Sequence, residues 1–339
     1  MATPLAAPTP PPAPPASPAP IVYALPDMSI QVFSQTFHVN SSILKVHSAY
    51  FRTFLDSPDK VSQSDPDSEF KYEWVTHVDS DGKNWSITAK EKALPEAQNE
   101  PFVGDEQLQI VAFTALLSAL NCLPMEIQNA RQLCLVTEMA DYCRVLPVVS
   151  NALYSAIFGN TRFVADIPEN SIALLEAALK LRNKPLFRDC FIHVLGPSNE
   201  PRCLDLENED LKELCRAAFM QLIHDLNVLH SEILELELAD CDGFATAVFN
   251  VKKSKPTSFI NSDRNMIKPY YYRAIYEVVP KKPKTGTKIR DSFAKLLANK
   301  LVLDRTKYLQ SEEGKYTNSF LHFELADEDF PWDDSERSW

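Results

Sequence analysis

The chain has 339 residues, carries a formal net charge of −12 and is 45% hydrophobic. This length suits about two domains, and this hydrophobic content excludes a wholly disordered protein. The seven glycines are widely separated, which excludes the glycine-rich loops that hold dinucleotides and nucleoside triphosphates.

Residues 1–26 form a Pro/Ala-rich tail, with nine prolines and no charged residue in the first twenty positions. This composition cannot build a core, so we predict that the tail is disordered. It also lacks the basic start and apolar centre of a secretory signal. We therefore expect a cytoplasmic or nuclear protein, and no apolar stretch is long enough to predict a membrane span.

Two alternating stretches follow the tail, and they predict strands over 29–33 and 35–39 joined by a tight turn. Apolar residues at helical spacing then predict helices between 42 and 55. The polar, acidic stretch 56–69 contains two prolines and is typical of an exposed loop.

A hairpin is predicted next, with strands over 70–78 and 84–88 around the turn pair Asp81-Gly82. Helices are predicted over 107–119, 127–142 and 146–158. Together these elements predict one α+β unit from 27 to 158, with a small sheet capped by helices.

The region 161–249 is predicted to be mainly helical. Asp166, followed by a proline and by Glu169, is typical of a helix start, and Pro185 is predicted to stop that helix. Apolar residues recur at steps of three or four over 211–238. We interpret this repeat as a long core helix or a helical hairpin, in preference to a coiled-coil dimer seam.

The sign of the charge then reverses twice. Residues 251–300 contain thirteen Lys and Arg against three Asp and Glu, so they carry +10 while the rest of the chain carries −22. Residues 311–339 contain nine acidic residues against two basic ones. We predict a basic C-terminal segment over 250–310, then a flexible acidic tail over 311–339 with aromatic anchors.

Three groups of residues resemble the BTB/POZ domains that are abundant in filamentous fungi. The first strand begins Asp27-Met28-Ser29-Ile30. Phe37-x-Val39 then leads into Ile43-Leu44 and Ser48-x-Tyr50-Phe51-Arg52, and a later helix carries Ala140-Asp141-Tyr142. The resemblance covers 27–158, a little over a third of the chain, and by position 161–249 resembles the helical extension that often follows such domains.

The resemblance implies a protein that binds other proteins, by dimerisation or partner docking, and implies a substrate adaptor for a cullin-based ubiquitin ligase. Members that recruit corepressors pair the early Asp with a His and a basic residue at the strand–helix junction. Here Asn40 and Ser41 stand at those two positions, so corepressor binding by that route is not expected. Cullin-binding members show an apolar-x-acidic pattern after the third helix, and Met125-Glu126 lies in about that place, with Pro124 where a larger apolar residue is usual. We predict protein contacts at Asp27, Phe51, Met125 and Glu126.

The sequence predicts no enzyme, cofactor or metal site. The seven cysteines lack C-x-x-C and zinc-ligand spacing, and we interpret them as reduced core thiols. No His lies near Asp141 in sequence, so we expect this side chain to bind backbone or a neighbouring helix.

The alternative hypothesis is a nuclear factor that binds DNA or RNA through the basic segment. Phosphate contacts would come from a basic patch, with Tyr270, Tyr271 and Tyr272 stacking on bases; the patch comprises Lys281, Lys282, Lys284, Lys288 and Arg290. The net charge of −12 argues against a dedicated nucleic-acid binder. We favour neutralisation of these bases by acidic groups of the same chain, or a nuclear-import signal.

Overall fold

The computed structural model describes residues 25–57, 69–93, 100–196, 202–239, 243–254, 268–280, 287–304, 316 and 319–336. The protein is α+β: a small mixed sheet near the N-terminus is followed by a mostly helical region. Most of the predicted N-terminal tail and of the acidic loop over 56–69 lies outside the described residues.

Four strands form the sheet, in the order β2-β1-β3-β4. The strands are β1 (Met28–Val32), β2 (Gln35–Val39), β3 (Tyr72–Val78) and β4 (Trp85–Ala89). β1 pairs antiparallel with β2 and parallel with β3, and β3 pairs antiparallel with β4. This pairing confirms both predicted hairpins. Burial alternates along β1, where Met28, Ile30 and Val32 face the core.

Two short helices, α1 (Ser41–His47) and α2 (Ala49–Phe54), connect β2 to β3. Ser48 separates them and caps α2: its hydroxyl accepts the Phe51 N–H at 3.1 Å and donates to the Cys143 carbonyl at 2.6 Å. One buried serine therefore both starts a helix and ties it to a residue almost a hundred positions away.

The three helices predicted next are confirmed as α3 (Glu106–Leu120), α4 (Ala130–Tyr142) and α5 (Leu146–Ile157). They are followed by α6 (Thr161–Asp166), α7 (Ser171–Lys180) and α8 (Lys184–Leu195). The next is α9 (Glu209–Leu238), one uninterrupted helix of 30 residues. The last three are α10 (Phe244–Ser254), α11 (Lys268–Val278) and α12 (Thr287–Leu296).

The predicted helix start at Asp166 is wrong. Asp166 ends α6, and its carboxylate accepts the Ala130 N–H at 2.7 Å and an Asn170 amide hydrogen at 2.9 Å. Pro185 lies in the first turn of α8, where its missing N–H costs nothing, so it begins a helix instead of stopping one.

The hydrophobic core does not divide near residue 160. One continuous cluster of buried side chains joins the sheet and α3–α5 to α6–α8 and the first half of α9, as far as Cys215. A second cluster begins at Leu222 and joins the rest of α9 to α10, α11 and α12. The apolar repeat of α9 thus packs within its own chain, as the core-helix interpretation expected.

The acidic C-terminal tail is not wholly flexible. Phe320 is fully buried in the second cluster, and the residues after it pack along α8, where Phe330 is only 6% exposed. The backbone at Phe320 approaches Gly196 closely, since the Phe320 N–H bonds the Gly196 carbonyl at 3.0 Å. The prediction of a flexible tail is therefore wrong for 319–336, although its aromatic anchors are present.

Candidate protein-interaction groove

An exposed tyrosine at the end of α4 lies at a concave surface of the N-terminal half. Tyr142 is 53% exposed, and its ring packs against the Tyr50 ring with centroids 5.0 Å apart. The two hydroxyls lie 3.4 Å apart, and burial raises the pKa of Tyr50. Tyr50 on α2 thus packs against the Tyr142 ring on one side, while the rest of the Tyr142 ring is exposed.

A cavity of about 290 Å³ lies on one side of Tyr142, between β4 and the helices α3 and α4. Its wall is largely apolar, made by Trp85, Ile87, Phe113, Leu135, Met139 and Tyr142. The Trp85 indole N–H donates to the Gln109 side chain at 3.1 Å, which fixes the indole ring in the wall. Aromatic side chains with a satisfied polar end are typical of binding surfaces.

A wider depression of about 970 Å³ lies on the other side, between α2 and α4. Glu138 and Tyr142 line both cavities, since residues four apart share a helix face. At the rim Lys180 pairs with Asp141 at 3.0 Å, with both side chains half-exposed. The expected contact of Asp141 with a neighbouring helix is confirmed. We call the two cavities together the Tyr142 groove.

The free edge of the sheet borders this groove. The Asp79 N–H bonds the Asn84 carbonyl, so the backbone N–H and C=O groups of Asn84, Ser86 and Thr88 point towards β3. The backbone groups of the alternate residues of β4 point away from β3, at the edge of the sheet. Within the described residues no strand pairs with this edge. An open strand edge beside an apolar groove is a template for another chain.

Two of the four predicted contact residues are core residues. Phe51 is 0% exposed and packs on Trp74 and Tyr50, and Met125 is 3% exposed. Neither side chain reaches the surface, so their assignment as partner contacts is corrected. The position of Phe51 in the strand–helix motif suggests a contact residue, but in the structure this part of the motif packs in the core.

Asp27 serves the strand–helix junction. Its carboxylate accepts the Ser41 N–H and the Ser41 hydroxyl, each at 2.6 Å. Both carboxylate oxygens are therefore engaged by Ser41, and this local pair occupies the strand–helix junction.

Glu126 is exposed, on the loop between α3 and α4. The buried Gln132 side chain holds this loop by donating to the Glu126 carbonyl and accepting the Gln128 N–H, both at 2.8 Å. Leu123, three residues beyond α3, is 59% exposed. The loop presents an apolar and an acidic side chain on a fixed backbone, with Met125 as its anchor in the core.

The basic segment is largely engaged within the chain where the structure describes it. Lys288 pairs with Glu232 at 3.0 Å, and the Arg290 guanidinium lies 4.6 Å from the centroid of the Tyr276 ring. Tyr271 and Tyr272 are buried in the second cluster, so they are not free to stack on bases. Lys281, Lys282 and Lys284 lie outside the described residues.

Four of the six described cysteines are core residues, and exposed Cys122 departs from the core-thiol interpretation. Cys143, Cys190, Cys203 and Cys215 are buried, whereas Cys134 is partly buried and Cys122 is exposed. Burial raises the pKa of the Cys143 thiol to about 12. Thiolates are the reactive form, so such thiols are inert at neutral pH. Cys241 lies outside the described residues.

Comparison with family models, curated proteins and solved structures gave no match. In the described part of the chain, no cluster of three His, Cys, Asp or Glu side chains is placed to hold a metal ion. None of the described helices has both the length and the apolarity needed to cross a bilayer.

Proposed function

We propose that this chain is a protein-interaction protein whose residues 27–158 form a BTB/POZ-like domain. Its activity is binding: the domain dimerises or docks a partner, and the helical region behind it orients the domain. The order of the N-terminal elements supports this proposal, with two helices inserted between the parallel strands β1 and β3 and three helices after β4. The Tyr142 groove carries it, because an exposed aromatic side chain in an apolar cleft is the kind of anchor that dominates binding energy.

Self-association is the first outcome that we expect. Wild-type protein should sediment as a dimer, and Tyr142→Glu should weaken dimerisation at least about tenfold, because a charge would be buried at the centre of the interface. Analytical ultracentrifugation over a concentration series measures this change.

The matched control is Tyr154→Glu. Tyr154 is 52% exposed on α5 and stacks on Phe158, so it has the same exposure away from the groove. Equal weakening by both variants would mean that the groove is not the interface. A strictly monomeric wild-type protein would remove the dimerisation part of the proposal.

Binding to a cullin is the adaptor version of this function. We expect purified protein to capture a cullin, and Glu126→Arg to reduce capture at least about tenfold, since an exposed acidic contact would be reversed in sign. Surface plasmon resonance with immobilised cullin measures the affinity.

The control here is Glu91→Arg, which reverses an equally exposed charge just beyond β4. Cullin binding that is absent in wild type, or that survives Glu126→Arg, would contradict the adaptor role. Dimerisation through the Tyr142 groove would be unaffected by that result, so the two parts of the proposal can fail separately.

A further inference from the structure

The surface of α8 and the turn before it carries three basic side chains around an aromatic ring. They are Arg182, Lys184 and Arg188, with Phe187 between them, and we call this surface the α8 strip. Residues 324–336 contain seven acidic residues and no basic one. These residues lie along the α8 strip although they are about 140 positions away in sequence.

Each base of the strip engages the C-terminal residues. Arg182 donates to the Glu336 carboxylate at 2.6 Å and to the Asp333 carbonyl at 3.0 Å. Lys184 pairs with Asp334 at 2.7 Å, and the hydrogen bond to Asp334 raises the pKa of this lysine. Arg188 donates to Asp327 at 3.1 Å and to the Leu325 carbonyl at 3.2 Å.

Two aromatic side chains fill the space between these ion pairs. Phe330 lies with its ring centroid 5.7 Å from that of Phe187, and Trp332 lies 5.2 Å from the same ring, both edge-on. The Lys184 ammonium and the Arg188 guanidinium each lie about 5 Å from the centroid of Phe330. The two cations thus bind an aromatic ring through cation–π contacts, in addition to the acidic side chains that they pair with.

The contact has the form of a peptide bound in a groove. Apart from one short turn over Asp327–Asp329, residues 322–336 have no helix or strand of their own, and they contact α8 through both acidic and aromatic side chains. The ion pairs are partly exposed, so salt and competing acidic groups can reach them.

We propose that the α8 strip is a docking site for acidic peptides that carry closely spaced aromatic residues, and that residues 325–336 occupy it as an internal ligand. A partner of this chemistry docks by displacing the chain's own segment. Because the segment belongs to the same chain, its effective concentration at the α8 strip is high. Weakly binding peptides therefore cannot displace it, whereas tightly binding ones can. This inference does not rest on the Tyr142 groove.

The test uses the full-length chain and a fluorescein-labelled peptide with the sequence of residues 325–336, followed by fluorescence anisotropy. In the release variant, Phe330→Ala with Trp332→Ala, the internal ligand is weakened and the strip is intact. We expect it to bind the peptide at least about tenfold more tightly than wild type, because the internal competitor is weakened. Raising salt from 50 to 300 mM should weaken this binding.

Two further variants make the result decisive. Adding Arg182→Glu and Lys184→Glu to the release variant should abolish peptide binding. Glu328→Ala, which removes a charge from the same segment at an exposed side chain that none of the described ion pairs includes, should behave as wild type.

A charge-only release variant, Asp327→Asn with Asp334→Asn and Glu336→Gln, keeps Phe330 and Trp332 in place and serves if the first release variant is misfolded by circular dichroism. A folded release variant that binds the peptide no better than wild type would overturn the proposal. Peptide binding that survives reversal of the strip would overturn it as well.

Discussion

Phe51→Ala should lower the free energy of unfolding by about 3–5 kcal/mol, the usual cost of deleting a fully buried aromatic side chain. Phe51 is 0% exposed, and its ring lies among Tyr50 and Trp74, with centroids 5.3 and 6.1 Å away. The rigid sheet and α2 cannot collapse into the space left behind, so a cavity would remain. Urea unfolding followed by tryptophan fluorescence measures the change.

Ile43→Ala is the matched control, because Ile43 belongs to the same strand–helix motif but is 37% exposed. We expect this variant to lose less than about 1 kcal/mol. A small effect of Phe51→Ala on unfolding, together with lost partner binding, would restore Phe51 as a contact residue.

Asp189→Ala should also be strongly destabilising. Asp189 is 1% exposed on α8, and its carboxylate accepts the N–H groups of Val302 at 2.7 Å and Leu303 at 2.9 Å. Removing it leaves two donors without their acceptor, at about 1–3 kcal/mol each. The exposed ion pair of Asp141 with Lys180 provides the control, and Asp141→Ala should cost less than about 1 kcal/mol.

The cost of Asp189→Ala should depend on pH. Burial raises the pKa of Asp189 to about 6, although the backbone N–H donors act in the opposite direction. Between pH 4 and 6 the folded protein therefore binds more protons at this site than the unfolded chain, so this group makes stability fall as pH rises. From pH 4.5 to 7.5, wild type should lose roughly 2 kcal/mol relative to Asp189→Ala.

A second buried group acts in the opposite direction. Burial lowers the pKa of His322 to about 4, so its contribution to stability is present above pH 6.5 and is lost as pH falls towards 4. Comparing wild type with Asp189→Ala cancels the His322 contribution, which both proteins share. Parallel stability profiles for the two proteins across this pH range would contradict the shifted pKa of Asp189.

Local patterns predicted the elements of the N-terminal half well. Alternation located β1 to β4, because one face of each strand is buried. The start at Asp166 failed because asparagines at positions 160, 170 and 183 precede α6, α7 and α8, leaving Asp166 to cross-link two elements. An Asp shortly before a proline shows the same local sequence pattern whether it caps a helix or cross-links two elements.

Long-range pairing was beyond the sequence. Acidic composition predicts a flexible tail at 311–339, and charge balance predicts that acidic groups of the same chain neutralise the basic segment, without saying which ones. The structure pairs Lys300 of the basic segment with Glu324 of the tail at 2.9 Å. It also places residues 325–336 on the α8 strip, whose three bases show no distinctive local sequence pattern. Tyr142 belongs to the Ala140-Asp141-Tyr142 motif, but its exposure depends on how α2, α4 and β4 meet. Local residue spacing does not encode that arrangement.

The uninterrupted helix α9 contributes residues to both hydrophobic clusters and joins them as one rigid element. Cys215 is fixed in the cluster that contains the sheet, and Ile233 is fixed in the cluster formed with α10, α11 and α12. At 1.5 Å of rise per residue, these anchor points lie about 27 Å apart on a stiff rod. A tilt of a few degrees at the near end would move the far end by about 1–2 Å. Phe219 and Phe323 also pack against both clusters, so we expect a partner that strains the N-terminal half to displace the C-terminal half with it.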